Sequence, residues 1–366
     1  MKANRVDAPG GSKIPAPARR RNIAKIRSNV AGWSFVSPAI IVLGLFLLVP
    51  IVMAAWVSVS DWSGRGSPLN ANFAGFTNYE SFLSGKGLAS KDFGTAIRNN
   101  FYYFLLVVPL QTIVSLFLAI LVNRKALAGK GIFRTAFYFP SVTSTVAITA
   151  LWTFLFSASG AINGVLAKLS VKGPVWFNDP RGLFYVILGI DQPAATPTTP
   201  RFLGITLYDW LSGPSIAMCA FMLMAIFTTS GTFMLLFLAA LQAIGEETEE
   251  AALIDGANAW QRIWHVTIPL LKPTVFTVVT LGTIGTWQVF EAMYVSGQGA
   301  PAKTTLTSAF LAYQSAFVSG QWGRGAATSF VLFGIIVVFT LVLRGIIGTT
   351  DPTVESRRFL RKAAKR

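Results

Sequence analysis

The sequence predicts an all-α, polytopic membrane protein with six transmembrane helices, and three observations predict it. Hydrophobic residues make up 53% of the 366 and charged residues only 13%, about half the charge of a soluble chain of this length. Six apolar stretches reach the length of about 20 residues that carries a helix across a bilayer. Lysine and arginine gather at the ends of those stretches. Although the net charge is +16, that arrangement suits membrane topology and gives no groove or stripe for nucleic acid.

The stretches lie at 33–60, 97–122, 135–157, 215–241, 273–295 and 326–348. The first begins too late and runs too long for a signal-peptide core, so it reads as a retained helix. Before it, residues 1–30 mix Arg, Lys, Pro, Ala and Gly and are expected to form a disordered, basic tail. Residues 350–366 make a second basic tail, which leaves 31–349 as one membrane domain with a polar segment at 242–272. Pro50, Pro109 and Pro140 fall in or near spans, where neighbouring helices can satisfy the freed carbonyls. The run LFYVILGI at 183–190 is too short to cross.

Charge asymmetry then sets the orientation. The first tail holds eight Lys and Arg residues. Arg124, Lys125, Lys130 and Arg134 follow the second span, and Arg357, Arg358, Arg361, Lys362, Lys365 and Arg366 end the chain. The loops at 61–96, 158–214 and 296–325 are longer and poorer in basic residues. Both termini are therefore expected in the cytoplasm, with the chain crossing the membrane several times. No internal repeat stands out. The centre of the 158–214 loop, DQPAATPTTP, is expected to be an extended excursion.

Several chemistries lose their support. Cys219 is the single cysteine and His265 the single histidine, so neither a disulfide nor a His-based metal site can form within the chain. Cys219 reads as small apolar filler. The run GQGAPAKT imitates a phosphate loop, but Ala302 stands where the second glycine belongs and no strand–loop–helix surrounds it. No HExxH, Ser–His pairing or dinucleotide motif occurs, so the chain is expected to hydrolyse nothing itself.

The segment after the fourth span, GEETEEAALIDGANAWQRIWHVTIPLLKP, is the most acidic part of the chain. Glu246, Glu247, Glu249 and Glu250 favour the positive end of a helix dipole. Ala251, Ala252, Leu253 and Ile254 prolong the helix, and Gly256 suits the left-handed stop. Asn258 and Gln261 have capping-box spacing for a second helix. There Trp260, Ile263, Trp264, Thr267 and Ile268 share a face opposite Arg262, as in a helix lying at a membrane surface, and Pro269 closes it. Two short helices joined at a glycine make a docking knob with small side chains and an acidic rim. Periodicity alone fits equally a solvated acidic loop with an interfacial anchor.

EAALIDGA followed by IPLLKP resembles the EAA loop of ABC importer permeases. RNNFYYFLLVVPLQTIVSLFLAILVN, GKGIFRTAFYFPSVTSTVAITALWTFLFSASGAIN and WQVFEAMYVSGQGAPAKTTLTSAFLAYQSAF resemble the carbohydrate-importer branch, similar to maltose, glycerol-phosphate and oligosaccharide permeases. The likeness runs over residues 94–345. It implies the type I ABC importer permease fold, and a chain that translocates a sugar or oligosaccharide by alternating access. Carried over by position, Glu250, Ala251 and Ala252 are the EAA triplet, Asp255 and Gly256 the acidic residue and turn, and Pro269 the closing proline of a coupling helix. Glu250 would pair with a basic residue of a cytoplasmic ATPase.

The implied partners are an ATPase subunit dimer, a second homologous permease in a heterodimer, an extracytoplasmic solute-binding protein and membrane lipid. ATP and Mg belong to the ATPase subunits, and no cofactor is implied for this chain. The sequence departs from the family pattern at Gly297–Pro301, at 181–214 and at Phe227–Ser230, which bears on the particular solute. A polyol, a glycerophosphodiester or a peptide remains an alternative solute. A secondary carrier without an ATPase is a further alternative, disfavoured by the scarcity of intramembrane charge.

Polar groups at membrane depth mark a cavity or a helix interface. In the fourth span Thr228, Thr229, Ser230 and Thr232 form a patch, from which Thr229 and Thr232 are candidates for the path. In the fifth span Thr283, Thr286, Trp287, Phe290 and Tyr294 recur at helical spacing, with Gln288 and Glu291 beside them. Hydroxyls and ring faces together suit a sugar. Ser and Thr also pack helices, and Trp and Tyr near a span end also anchor at interfaces, so the stripe has two readings. Glu291 is its sharpest residue.

Overall fold

A computed structural model describes residues 18–124, 128–191, 193, 196 and 199–348, with the side chains of 18–28 and of Glu246 left aside. The C-terminal tail and the first 17 residues of the N-terminal tail lie outside the described residues. The chain divides into two compact units, Met1–Ala54 and Ala55–Arg366. In the first, helix begins at Ala18, well before the expected start of the span. ARRRNIAKIRS contains mostly good helix formers, so the expected tail winds into helix over its second half. The helix widens to a π turn at Gly44–Leu48, with the Val49 N–H bonded to the Gly44 carbonyl. Pro50 follows directly, and a proline ring crowds the carbonyl four residues back. Trp33, Phe35 and Phe46 along this helix are exposed.

In the second unit, the helices Gly87–Asn123, Ile216–Ala243 and Trp322–Ile347 are each long and apolar enough to cross a membrane. Burial ranks them. Half of the most apolar window of Ile216–Ala243 is covered by protein, against 11% for Trp322–Ile347, so the former is the central helix and the latter lies at the rim. Ile216–Ala243 packs along Gly87–Asn123 through two cores. One gathers Tyr103, Met218, Phe221 and Met293. The other gathers Val122, Phe237, Leu241 and Val278.

The remaining two expected spans are not single helices. The third is Lys130–Val142 followed by Thr145–Leu155, interrupted where Thr143 and Ser144 turn extended. Ser and Thr bond to nearby backbone and so compete with continuous helix: the Thr143 hydroxyl donates to the Phe139 carbonyl at 3.1 Å. The fifth is Lys272–Trp287 followed by Glu291–Ser296. Its break at 288–290 is held from outside. Asn100 Nδ2 donates to the carbonyls of Thr286 at 3.0 Å and Trp287 at 3.3 Å, two of the groups that a helix end leaves unpaired. The Thr307 hydroxyl donates to the Val289 carbonyl at 2.8 Å.

Asn100 is the last of three consecutive residues that each bind a different segment. Arg98 Nη1 donates to the Asp209 carbonyl at 3.1 Å. Asn99 Nδ2 donates to the Leu306 carbonyl at 2.8 Å. The Ser308 N–H donates to Asn100 Oδ1 at 2.7 Å. All three side chains are buried. Asn100→Leu would leave a buried N–H and two helix-end carbonyls without partners, at about 1–3 kcal/mol for each group that stays dry. We expect a lower apparent Tm for the detergent-solubilised protein.

The 158–214 loop is folded on both sides of DQPAATPTTP, the stretch expected to be an extended excursion. It contains the helices Ala161–Lys168, Leu183–Leu188 and Leu207–Leu211 and a hairpin pairing Arg201–Phe202 with Ile205–Thr206. Much of DQPAATPTTP lies outside the described residues. Three local ties hold the rest. Asn163 Nδ2 donates to the Pro174 carbonyl at 3.1 Å while Trp176 Nε1 donates to Asn163 Oδ1 at 2.9 Å. Thr206 and Asp209 form a reciprocal capping box. Arg181 Nη2 lies 2.6 Å from Asp179 Oδ2, and its hydrogen bonds hold the Asp179 carboxyl below the usual carboxylate range.

Candidate functional site

Two places gather the residues expected from the sequence to carry function. The first is the acidic segment. Its helix, Glu246–Ile254, stops as the sequence requires: Gly256 sits at φ +76°, its N–H donates to the Leu253 carbonyl, and the Ala257 N–H donates to the Ala252 carbonyl. That pair of bonds is the Schellman stop. Glu247, Glu249, Glu250, Ala251 and Asp255 are exposed and Ala252 is half-buried. Leu253 and Ile254 are 53% and 86% exposed, so the tip presents apolar side chains beside carboxylates.

The second helix of this segment begins on a complete capping box. The Gln261 N–H donates to Asn258 Oδ1 at 2.8 Å and the Asn258 N–H to Gln261 Oε1 at 2.9 Å. Trp260 and Trp264 pack edge to face at 5.7 Å and are both exposed. Pro269 is not the terminator that its position suggests. A π turn at Ile263–Thr267 absorbs its ring, helix continues through Leu270, and the axis bends by 69° at Leu271 into the fifth span. Leu271 is buried in the core at that elbow.

The second place is a cavity of about 350 Å³ between the second, fourth and fifth spans, lined among others by Gln111, Thr228, Thr229, Thr286, Gln288, Phe290 and Glu291. A smaller one of about 290 Å³ adjoins it at the break of the third span, lined by Thr143, Thr145, Thr228, Thr229 and Thr232. Both interrupted spans thus open onto the same polar patch. Of the path residues expected from the sequence, Thr229, Thr286, Gln288, Phe290 and Glu291 meet at the larger cavity and Thr232 at the smaller.

Thr283, Trp287 and Tyr294 do not line either cavity, which corrects the expected stripe. Thr283 is fully buried, its hydroxyl donating to the Val279 carbonyl at 2.7 Å. Trp287 packs on Phe339 of the sixth span at 5.2 Å, beside Leu332 and Ile336. Tyr294 joins an aromatic cluster with Phe290 at 5.5 Å and Tyr313 at 5.4 Å. The stripe assumed one continuous helix. The break at 288–290 ends its phase at Trp287 and turns Gln288, Phe290 and Glu291 toward the cavity.

Gln111, like Thr143 and Thr145, is a lining residue that the sequence reading missed. It is 1% exposed, and its Oε1 lies 2.7 Å from the Thr229 hydroxyl. That hydroxyl lies 2.7 Å from the Ala225 carbonyl as well, and it has one proton for the two. The other end of the amide, Nε2, has no protein partner and abuts Gly282, where a Cβ would come within 2.1 Å of it. A lone amide in the apolar run PLQTIVS was the available signal. A buried amide half-satisfied by protein is a group waiting for a ligand or water.

The chain as a whole is similar to known transport proteins. Residues 82–356 match the family model described as binding-protein-dependent transport system inner membrane component. The lactose transport system permease protein LacF of Rhizobium radiobacter is 30% identical over 325 residues, covering 88% of this chain and 95% of that one. The trehalose/maltose transport system permease protein MalF of Thermococcus litoralis is 29% identical over 318 residues, covering 87% and 94%. Among solved structures, a bacterial ABC transporter involved in the import of the acidic polysaccharide alginate shares the fold with a TM-score of 0.67 at 18% identity, covering 90% of this chain and 99% of that one.

Proposed function

Because the chain belongs to the family of binding-protein-dependent transport system inner membrane components, we propose that it passes a sugar or short oligosaccharide across the bacterial plasma membrane by alternating access. As a member of that family it is a multi-pass permease subunit of an ABC importer. The names of its relatives support a sugar as solute. The observation that carries the reading onto this chain is the polar cavity at the two broken spans. It sits at membrane depth, where irregular backbone is tolerated only against protein or a water-filled space. Hydroxyl, amide and ring groups line it together, the mixture that a sugar's hydroxyls and C–H faces require.

The exposed knob at Glu246–Ile254 is the contact to a cytoplasmic ATPase dimer, which binds ATP and Mg and does the hydrolysis. Apolar Leu253 and Ile254 enter a cleft while Glu250 pairs with a basic residue beside it. Trp260 and Trp264 rest at the headgroup level on the same side, with both termini cytoplasmic. A second homologous permease completes the pathway, and a solute-binding protein delivers to the opposite face.

Co-expression with the neighbouring genes and purification in detergent tests the assembly: an ATPase should co-elute with the chain, and its consistent absence would remove the importer reading. Gln111→Leu tests the cavity. It preserves volume and removes the amide, so membrane levels and ATPase co-elution should be unchanged. Uptake should fall about tenfold, the loss of one hydrogen-bonding group worth about 1.4 kcal/mol. Unchanged uptake would place the path elsewhere.

A further inference from the structure

Among the described residues lining the two adjoining cavities, Glu291 is the one charged side chain, and no lysine, arginine or histidine accompanies it. Arg98 and Lys303 lie outside that lining, bonded to Asn99 Oδ1 at 2.9 Å and to Asp92 at 2.8 Å. Two of the hydroxyls are biased as well. Thr228 and Thr286 already donate their protons to the carbonyls of Met224 at 3.0 Å and Thr283 at 2.9 Å, so they offer lone pairs to a ligand. The remaining donors are the amides of Gln111 and Gln288 and the hydroxyls of Thr145 and Thr232. Acceptors still make up the larger share of the lining, and its one charge is negative.

We propose that Glu291 determines solute charge: the cavity accepts uncharged sugars, whose hydroxyls donate to the carboxylate and threonine oxygens, and rejects uronates and sugar phosphates. The proposal rests on the cavity being the solute path. An uncharged sugar brings many O–H donors to an acceptor-rich wall. A carboxylate or phosphate brings acceptors alone, meets a like charge, and finds no cation to replace its hydration. The chain thereby differs in expected cargo from the alginate transporter whose fold it shares.

The test is saturation-transfer NMR on the full transporter complex in nanodiscs, without the solute-binding protein, so that only the membrane cavity is read. Lactose and maltose serve as neutral probes and digalacturonate as the anionic one. The wild type should transfer saturation to at least one neutral probe and none to digalacturonate. Glu291→Lys should raise the digalacturonate signal at least about tenfold, while an unshifted thermal profile of the variant shows that the fold persists. Equal binding of digalacturonate by wild type, or no gain in Glu291→Lys, overturns the charge selection and leaves the path intact. Neutral binding that survives Gln111→Leu at full strength, or no binding of either class, instead overturns the path and the selection with it.

Discussion

Glu250→Lys is expected to abolish ATP-driven uptake and to strip the ATPase from the purified complex, while the chain still inserts and elutes as a folded species. The side chain is exposed on the helix Glu246–Ile254, so no core contact is lost. A cation in the N-terminal half of a helix opposes the dipole by only about 0.3–1 kcal/mol, too little to melt a chain anchored by several spans. What changes is the partner's view. A carboxylate that pairs with a basic cleft becomes a second cation inside it, and like charges brought together at an interface cost several kcal/mol, or about a thousandfold in affinity. Gly256→Pro should do the same through geometry, since the backbone there sits at φ +76° and proline is held near −65°. Fractionation, co-elution of the ATPase and uptake are the three readouts. Normal uptake in both variants would end the coupling role.

Gly231→Leu produces the largest loss of stability we expect from one substitution. Gly231 lies where Ile216–Ala243 meets Lys130–Val142. A Cβ there would come within 2.1 Å of the Phe137 carbonyl oxygen and 3.0 Å of Tyr138 Cα. Those are backbone atoms, and a carbonyl within a helix cannot swing away as a side-chain tip can. Small residues let membrane helices approach this closely. Even alanine must push the first half of the third span outward. Overpacking of this kind costs about 1–3 kcal/mol where side chains can yield, so a rigid obstacle puts leucine at the upper end or beyond. Gly334→Ala is the control, because nothing lies within 4 Å of the Cβ it would add. A wild-type thermal profile for Gly231→Leu would mean that the two helices separate freely.

Much of this architecture is written locally. The apolar lengths gave four continuous spans, and Gly256, Asn258 and Gln261 specified the knob well enough that its stop and its cap were legible residue by residue. The broken spans were not. Nothing between Thr286 and Glu291 forbids helix, and the break there depends on Asn100, which lies far away in sequence and takes over two carbonyls. The expected polar stripe failed in two ways: the helix up to Trp287 turns Thr283 and Trp287 away from the cavity, and the break after it brings Gln288, Phe290 and Glu291 to the lining. Gln111 went unread because a single amide in an apolar run gains meaning only once Thr229 and Gly282 are seen around it. The order in the 158–214 loop likewise rests on ties such as Arg98 to Asp209, which no local pattern announces.

The consecutive anchors Arg98, Asn99 and Asn100 have a consequence for how this chain can vary. Successive helical residues point about 100° apart, so the three reach three segments only in one angular setting. Substitution can spare two of the anchors. A one-residue deletion or insertion just after them cannot, because it turns the whole triplet by that angle relative to the packed span from Tyr102 onward and slides it along the axis, misaddressing every contact at once. The Gly87–Asn123 helix at this point should therefore tolerate changes of identity far better than changes of length, and indels there should be purged among functional variants.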